Sequence, residues 1–150
     1  DSCLVGSEMC IRDRFNSKIK LKNNQSIHFE LGRSIVGQCG FLISKILYTK
    51  KSYNKNFIVL DSGMNNLIRP ALYNSKHKIS NISSRSNKIE AYDIVGPICE
   101  STDTFARDYE MVESKRGDLV VIYSCGAYAE SMSSNYNLRD NIKSYYSDTI

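Results

Sequence analysis

The stretch of sequence that decides the fold is GFLISKILYTKKSYNKNFIVLD, residues 40–61. Its first half, residues 40–50, is rich in apolar and β-branched side chains over the length of one strand. Residues 57–61 form a second compact apolar run, and the polar residues 51–56 between the two runs are typical of a turn. The stretch therefore predicts a β-hairpin.

Three more strands are predicted outside the hairpin. Residues 26–30 alternate between apolar and polar side chains, and residues 89–95 form an apolar run that a Gly-Pro pair closes. Residues 118–123 form another buried run, which follows an Arg-Gly turn.

Little of the chain has a helical pattern. Residues 64–72 have apolar side chains at helical spacing, but Pro70 limits this element to about two turns. Residues 80–88 are rich in serine and asparagine and predict a loop. Short strands with Gly, Pro and Asn punctuation predict a mainly β fold, either a barrel or a sandwich.

The composition is that of one globular domain. The chain has 150 residues, of which 41% are hydrophobic and 24% charged, so neither a disordered chain nor a coiled coil is indicated. No apolar run approaches the ~20 residues of a membrane span, and no signal peptide opens the chain. We expect a soluble, cytoplasmic protein with no membrane partner.

Charge and cysteine content argue against a nucleic-acid-binding protein and against a fold held by metal ions or disulfides. The net charge is +4, but the lysines are scattered along the chain, so no nucleic-acid partner is expected. Five cysteines without a C-x-x-C spacing and only two histidines predict neither a metal site nor a disulfide framework. Reduced thiols agree with the cytoplasm.

The two ends of the chain have no recognisable element. Residues 1–14 (DSCLVGSEMCIRDR) show neither helical periodicity nor strand alternation, and they resemble a translated sequencing-adaptor tail. Residues 145–150 end without a cap or a strand. We expect residues 1–14 to be an artefactual tail and the chain to be a fragment of a longer protein.

Four short clusters carry residues able to do chemistry. A glycine beside an arginine suits phosphate oxygens, and an arginine four residues before a tyrosine suits a carboxylate. A thiol beside a carboxylate on a rigid Gly-Pro loop can donate a proton and hold an amine. Taken alone, each cluster is more often a plain turn, a surface helix end or a packed side chain. The clusters are ELGRSIVG at 30–37, RPALY at 69–73, GPICE at 96–100, and GAY at 126–128 followed by SMSSNYN at 131–137.

In this order, the clusters resemble the C-terminal part of the diaminopimelate decarboxylase family, the fold-type III pyridoxal-phosphate enzymes of lysine biosynthesis. The resemblance rests on GRSIVG, MNNLIRPALY, DIVGPICE, and GAY with SMSSNYN. It implies a Greek-key-like β-barrel domain, truncated at its end, over residues 35–150. It also implies that residues 15–34 are the last edge of a TIM-barrel domain.

The resemblance assigns one set of residues to the cofactor, pyridoxal 5'-phosphate. Glu30 matches the glutamate at the pyridinium nitrogen, and Leu31, Gly32 and Arg33 match the loop whose backbone binds the phosphate. Tyr128 matches a tyrosine that contacts both the phosphate and the substrate. The family has a proline where this chain has Leu31, so the backbone of this loop is less constrained here.

A second set of residues is assigned to substrate. Arg33, Arg69 and Tyr73 match positions that grip the distal carboxylate of diaminopimelate. Cys99 matches the catalytic proton donor and Glu100 the residue that holds the distal amino group, both delivered across a homodimer interface. The Schiff-base lysine lies upstream in the family, so we expect this chain alone to be inactive.

The implied activity of the full enzyme is decarboxylation of meso-2,6-diaminopimelate to L-lysine and CO2. One alternative is a sister decarboxylase of ornithine, arginine or carboxynorspermidine. A substrate with a distal carboxylate is recognised by residues such as Arg69 and Tyr73, whereas a substrate that ends in a bare cation requires acids there. The other alternative is a non-catalytic β-barrel binding module, against which the joint presence of Cys99, Glu100 and Tyr128 argues.

Overall fold

The computed structural model describes residues 17–149, so the predicted tail, residues 1–14, lies outside the described residues. Single 3₁₀ turns cover Gly37–Cys39, Tyr136–Leu138 and Ser147–Thr149. The helices and strands, in chain order, are α1 (Arg33–Val36), β1 (Leu42–Lys51), β2 (Asn56–Leu60), α2 (Arg69–Tyr73), β3 (Ile79–Asn81), β4 (Ile89–Val95), β5 (Thr104–Val112) and β6 (Leu119–Ile122).

The six strands form one sheet that is nearly closed on itself. Their order is β3-β6-β1-β2-β4-β5, and neighbours are antiparallel except β2 and β4. The two edge strands meet through one side chain: the Tyr109 hydroxyl accepts from the Ile79 amide at 2.8 Å and donates to the Ile79 carbonyl at 3.0 Å. This mainly β, barrel-like sheet confirms the predicted fold class.

The predicted hairpin forms the two middle strands of the sheet. Strands β1 and β2 pair antiparallel, with Ile46 opposite Leu60 and Lys50 opposite Phe57. Alternate side chains of β1 are buried, which is the pattern of a strand with one face on a core. The fully buried apolar side chains from these and neighbouring elements are Ile46, Ile58, Leu60, Leu67, Ile94, Val120 and Ile122.

Two strand predictions need correction. Residues 26–30 form no strand, and Phe29 is about half exposed. Strand β5 was not predicted, because Arg107, Asp108 and Glu110 interrupt its apolar pattern. Its core contribution comes from widely spaced residues such as Phe105.

The predicted helix over residues 64–72 is also displaced. Helix α2 begins at Arg69 and has Pro70 in its first turn, so the proline starts the helix rather than interrupting it. A proline is tolerated there because the first amides of a helix have no intrahelical acceptor. The helix ends at Tyr73, and the next residue, Asn74, has a left-handed φ of 52° and caps the last turn. Strand β3 extends into the predicted loop at residues 80–88.

Candidate active site

A surface cavity of about 470 Å³ lies beside the N-terminus of α1. We call it the Gly32 cavity. The predicted cofactor residues Leu31, Gly32, Arg33 and Tyr128 all line it, whereas Glu30 is exposed just before it. The other lining residues are Ile35, Val36, Gly126, Ala127 and Ser131.

Two distant segments build the cavity by lying backbone to backbone. The Gly126 amide donates to the Gly37 carbonyl at 2.9 Å, and the Cys125 amide donates to the Gly40 carbonyl at 2.8 Å. This pairing brings Tyr128, which follows the last strand, to the segment before the first one.

The segment that carries Tyr128 has an unusual backbone. Ser124 and Tyr128 have φ values of 61° and 63°, in the left-handed region that non-glycine residues seldom occupy. Such conformations persist where surrounding contacts fix them, and they concentrate at functional sites. In this segment the Tyr128 ring lies next to Arg69 of α2.

The predicted substrate residues Arg69 and Tyr73 join Tyr128 in one cluster. The Arg69 guanidinium carbon lies 5.0 Å from the ring centroid of Tyr73 and 5.6 Å from that of Tyr128. We call these three residues the arginine–tyrosine cluster. Both distances are typical of a cation held over an aromatic face, so the guanidinium is fixed by two rings that each carry a hydroxyl. This arrangement suits a carboxylate ligand.

His77 lies beside this cluster and was not predicted as a site residue. One ring nitrogen is 2.8 Å from the Tyr123 carbonyl oxygen and the other is 3.3 Å from the Ser75 hydroxyl. Burial lowers the pKa of His77, and the positive charges of Arg69 and Arg33 lower it further. Burial and these two charges therefore favour the neutral imidazole.

The predicted catalytic residues Cys99 and Glu100 lie on a different loop, residues 96–103, which follows β4. We call it the Cys99 loop. The buried Asp103 carboxylate fixes its shape, accepting from the Ile98 amide at 2.7 Å and from the Met64 amide at 2.7 Å. A β-carbon on Gly96 would overlap this carboxylate, so the start of the loop requires glycine.

Both functional side chains of the Cys99 loop are exposed. Glu100 accepts a hydrogen bond of 2.6 Å from the hydroxyl of Tyr136, a residue of the SMSSNYN motif that has no predicted role. The other described thiols differ from Cys99. Cys39 donates to the Val36 carbonyl at 2.8 Å, and burial raises the pKa of Cys125 to about 11.

The structure thus assembles the predicted site residues in two groups. Gly32, Arg33 and Tyr128 share the Gly32 cavity, and Tyr128 belongs to the arginine–tyrosine cluster as well. Within residues 17–149, no hydrogen bond, ion pair or ring contact joins Cys99 or Glu100 to that cluster. Tyr136 could have been found in the sequence from the SMSSNYN motif, while no local pattern pointed to His77.

A second cavity, of about 340 Å³, lies at the turn between β1 and β2. Its lysine, Lys55, is paired with Asp93 at 3.0 Å and with Asp108 at 3.5 Å. Because these charges satisfy one another, the second cavity offers no chemistry like that of the first. In the described part of the chain, no cluster of three metal-ligating side chains occurs and no helix has the length and apolarity of a membrane span.

Comparison with known proteins agrees with this geometry. A family model described as the C-terminal sheet domain of pyridoxal-dependent decarboxylases matches residues 4–126. The diaminopimelate decarboxylase of Bacteroides thetaiotaomicron is 52% identical over 136 residues, which cover 91% of this chain and 35% of that protein. The chain therefore spans about a third of the length of that relative.

Solved structures show the same similarity. The crystal structure of diaminopimelate decarboxylase from Helicobacter pylori complexed with L-lysine superposes with a TM-score of 0.67 and 49% identity, over 72% of this chain and 26% of that one. The corresponding enzyme of M. jannaschii in co-complex with L-lysine gives a TM-score of 0.73 and 34% identity, over 89% of this chain and 30% of that one.

The nearly closed sheet and the Gly32 cavity define a C-terminal sheet domain, and the chain belongs to the family of pyridoxal-dependent decarboxylases. Within that family, the relatives compared here are diaminopimelate decarboxylases. The cofactor of the family is pyridoxal phosphate.

Proposed function

We propose that this chain is the C-terminal part of a cytoplasmic, homodimeric decarboxylase that converts meso-2,6-diaminopimelate to L-lysine and CO2. The observation that carries the proposal is the Arg69 guanidinium held over Tyr73 and Tyr128 next to the Gly32 cavity. It supports a carboxylate site next to a phosphate site. The names of the relatives support the same substrate.

The residues of the Gly32 cavity fit the family cofactor. A β-carbon on Gly32 would meet nothing within 4 Å, so the backbone there faces open space that a phosphate can enter. The Arg33 guanidinium and the Tyr128 hydroxyl supply donors for its oxygens. Glu30 would accept a hydrogen bond from the protonated ring nitrogen. When bound, pyridoxal phosphate supplies an electron-withdrawing ring that accepts the electron pair left by the departing CO2.

Substrate binding and proton donation are assigned to residues of the chain itself. Arg69 and Tyr73 hold the distal carboxylate of the substrate, and Glu100 accepts from its distal ammonium. Cys99 donates the proton that replaces CO2 on the substrate carbon. The separation of Cys99 and Glu100 from the arginine–tyrosine cluster supports a dimer in which each chain lends its Cys99 loop to the partner's site.

The same arrangement disfavours the sister decarboxylases. Ornithine and arginine end in a cation, and the positive charges of Arg69 and Arg33 would repel it. Diaminopimelate has a distal carboxylate that these charges attract, and its distal ammonium is accepted by Glu100.

The proposal can be tested with a chimaera. In it, this chain replaces the matching region of the Bacteroides thetaiotaomicron diaminopimelate decarboxylase, 52% identical to it. We expect release of CO2 and L-lysine from meso-diaminopimelate, and no turnover of ornithine or arginine. Turnover of ornithine or arginine instead would favour a sister decarboxylase. A folded, cofactor-loaded chimaera with no decarboxylase activity would favour the binding module.

A further inference from the structure

Glu100 is held by one side chain from a distant part of the sequence. The Tyr136 hydroxyl donates to Glu100 Oε1 at 2.6 Å, although the two residues lie 36 positions apart. This hydrogen bond raises the pKa of Tyr136, so the phenol stays protonated as a donor at neutral pH. A hydrogen bond to an ionised acceptor is shorter and stronger than a neutral one.

The segment that carries Tyr136 is fixed by hydrogen bonds to residues 61–65. The Ser134 amide donates to the Asn65 carbonyl at 2.9 Å, and the Asn65 side chain returns a bond of 3.4 Å to the Ser134 carbonyl. Further along, an Arg139 guanidinium nitrogen donates to the Asp61 carbonyl at 2.6 Å. Asn65 is only 2% exposed, so this support does not depend on the surface.

The Cys99 loop uses the same support. Asp103 connects the Ile98 amide of that loop to the Met64 amide, one residue before Asn65. Both the segment that carries Tyr136 and the Cys99 loop are therefore hydrogen-bonded to residues 61–65, through buried and partly buried bonds that fix the distance between Tyr136 and Glu100. The contact is part of the fold and joins two exposed side chains at a fixed place.

We propose that Tyr136 is a positioning residue that fixes the Glu100 carboxylate and so determines selectivity for a substrate with a distal ammonium. The inference rests on the proposed function of Glu100. Because the Tyr136 hydroxyl occupies Oε1, the second oxygen, Oε2, is the one that accepts from the ammonium. Without this hydroxyl, an exposed glutamate samples several rotamers and meets the ammonium less often.

The test is Tyr136→Phe in the chimaera, which removes one hydroxyl and keeps the ring. We expect KM for meso-diaminopimelate to rise roughly 3- to 10-fold with kcat nearly unchanged. The inhibition constant of 2-aminopimelate, which lacks the distal amino group, should stay the same. The matched control is Tyr53→Phe, since Tyr53 is fully exposed on the β1–β2 turn, and it should change neither constant.

A double variant separates positioning from simple structural support. In Glu100→Gln, the added change Tyr136→Phe should have no further effect on KM, because the carboxylate that it positions is already gone. Equal weakening of both ligands by Tyr136→Phe would assign Tyr136 a structural role and overturn the inference. Unchanged selectivity would overturn it as well. If the proposed function itself were wrong, the chimaera without any substitution would not turn over meso-diaminopimelate, and this result differs from both outcomes above.

Discussion

Gly126 lies so close to the carbonyl oxygen of Val36 that a β-carbon on Gly126 would overlap that oxygen. The contact belongs to the backbone pairing in which the Gly126 amide donates to the Gly37 carbonyl at 2.9 Å. Only glycine permits this approach. It is also the approach that forms the Gly32 cavity, since it brings Tyr128 to Arg33.

Gly126→Ala should therefore destabilise the fold and open the cavity. Forcing a methyl group into a packed backbone contact costs about 1–3 kcal/mol. The matched control is Gly37→Ala, because Gly37 has helical φ and ψ values of −57° and −39° and a β-carbon there would contact only Cγ of Arg33, at 3.4 Å. We expect the control to stay within about 0.5 kcal/mol of the parent. Urea unfolding measures both, and equal free energies for the two variants would contradict the prediction.

Tyr109→Phe should weaken the contact between the two edge strands, β3 and β5, where the sheet nearly closes. The hydroxyl that it removes is the one that joins β5 to both backbone groups of the buried Ile79, at 2.8 and 3.0 Å. Leaving a buried donor and acceptor unpaired costs about 1–3 kcal/mol. Tyr48→Phe on the exposed face of β1 is the control and should change the free energy of unfolding little. If both variants lost the same free energy of unfolding, the Tyr109 hydroxyl would not be what joins β5 to β3.

The sequence predicted the parts of this molecule that depend on local pattern. Strand β4 begins and ends at the predicted residues, Ile89 and Val95, because its apolar run has turn residues directly after it. Strand β5 could not be predicted from the sequence, because charged residues separate its buried residues, such as Phe105 and Met111. Its place in the sheet is set by pairing with β4, which is a tertiary interaction.

The candidate site divides in the same way. Arg33, Arg69, Tyr73 and Tyr128 could be chosen from motifs, and the structure brings them together. His77 could not, because its contact with the Tyr123 carbonyl joins residues 46 positions apart and forms only when β3 pairs with β6. Residue type and spacing do not encode that proximity.

His77 should make stability depend on pH in a defined direction. Burial, followed by the nearby charges of Arg69 and Arg33, lowers its pKa in the fold, while the unfolded value is about 6.5. A depressed folded pKa means that the contribution is complete above about pH 6.5 and is lost as the pH falls through the folded pKa. We therefore expect the free energy of unfolding to decline below about pH 6.5.

Two variants identify the group responsible. His77→Gln should flatten the decline, whereas replacing His28, the other histidine, which is exposed and bonded to Ser26, should leave it unchanged. The measurement is urea unfolding between about pH 5 and 8, where carboxylates contribute least. If the His28 variant flattened the profile and the His77 variant did not, the assignment would be wrong.

Arg69→Lys should test the carboxylate site of the chimaera. Lysine keeps the charge but loses the planar fork and its packing over the rings of Tyr73 and Tyr128. Since the contact is made in both the bound substrate and the transition state, KM should rise about tenfold or more while kcat changes less. Steady-state kinetics with meso-diaminopimelate measure the split. A lower kcat at constant KM would place Arg69 at the reacting carbon instead.

Cys99→Ala in the chimaera should slow delivery of the proton that replaces CO2. General-acid catalysis typically contributes about 100-fold or more, so kcat should fall by that order. Water would then protonate the carbon from either face, and the configuration of the deuterium-labelled lysine formed in heavy water should become mixed. Cys39→Ala is the control, because that thiol is also exposed but bonds only to the Val36 carbonyl. If Cys99→Ala kept the turnover and stereochemistry of the parent, Cys99 would be an ordinary surface thiol. The proposed function of the Cys99 loop would then depend on Glu100 alone.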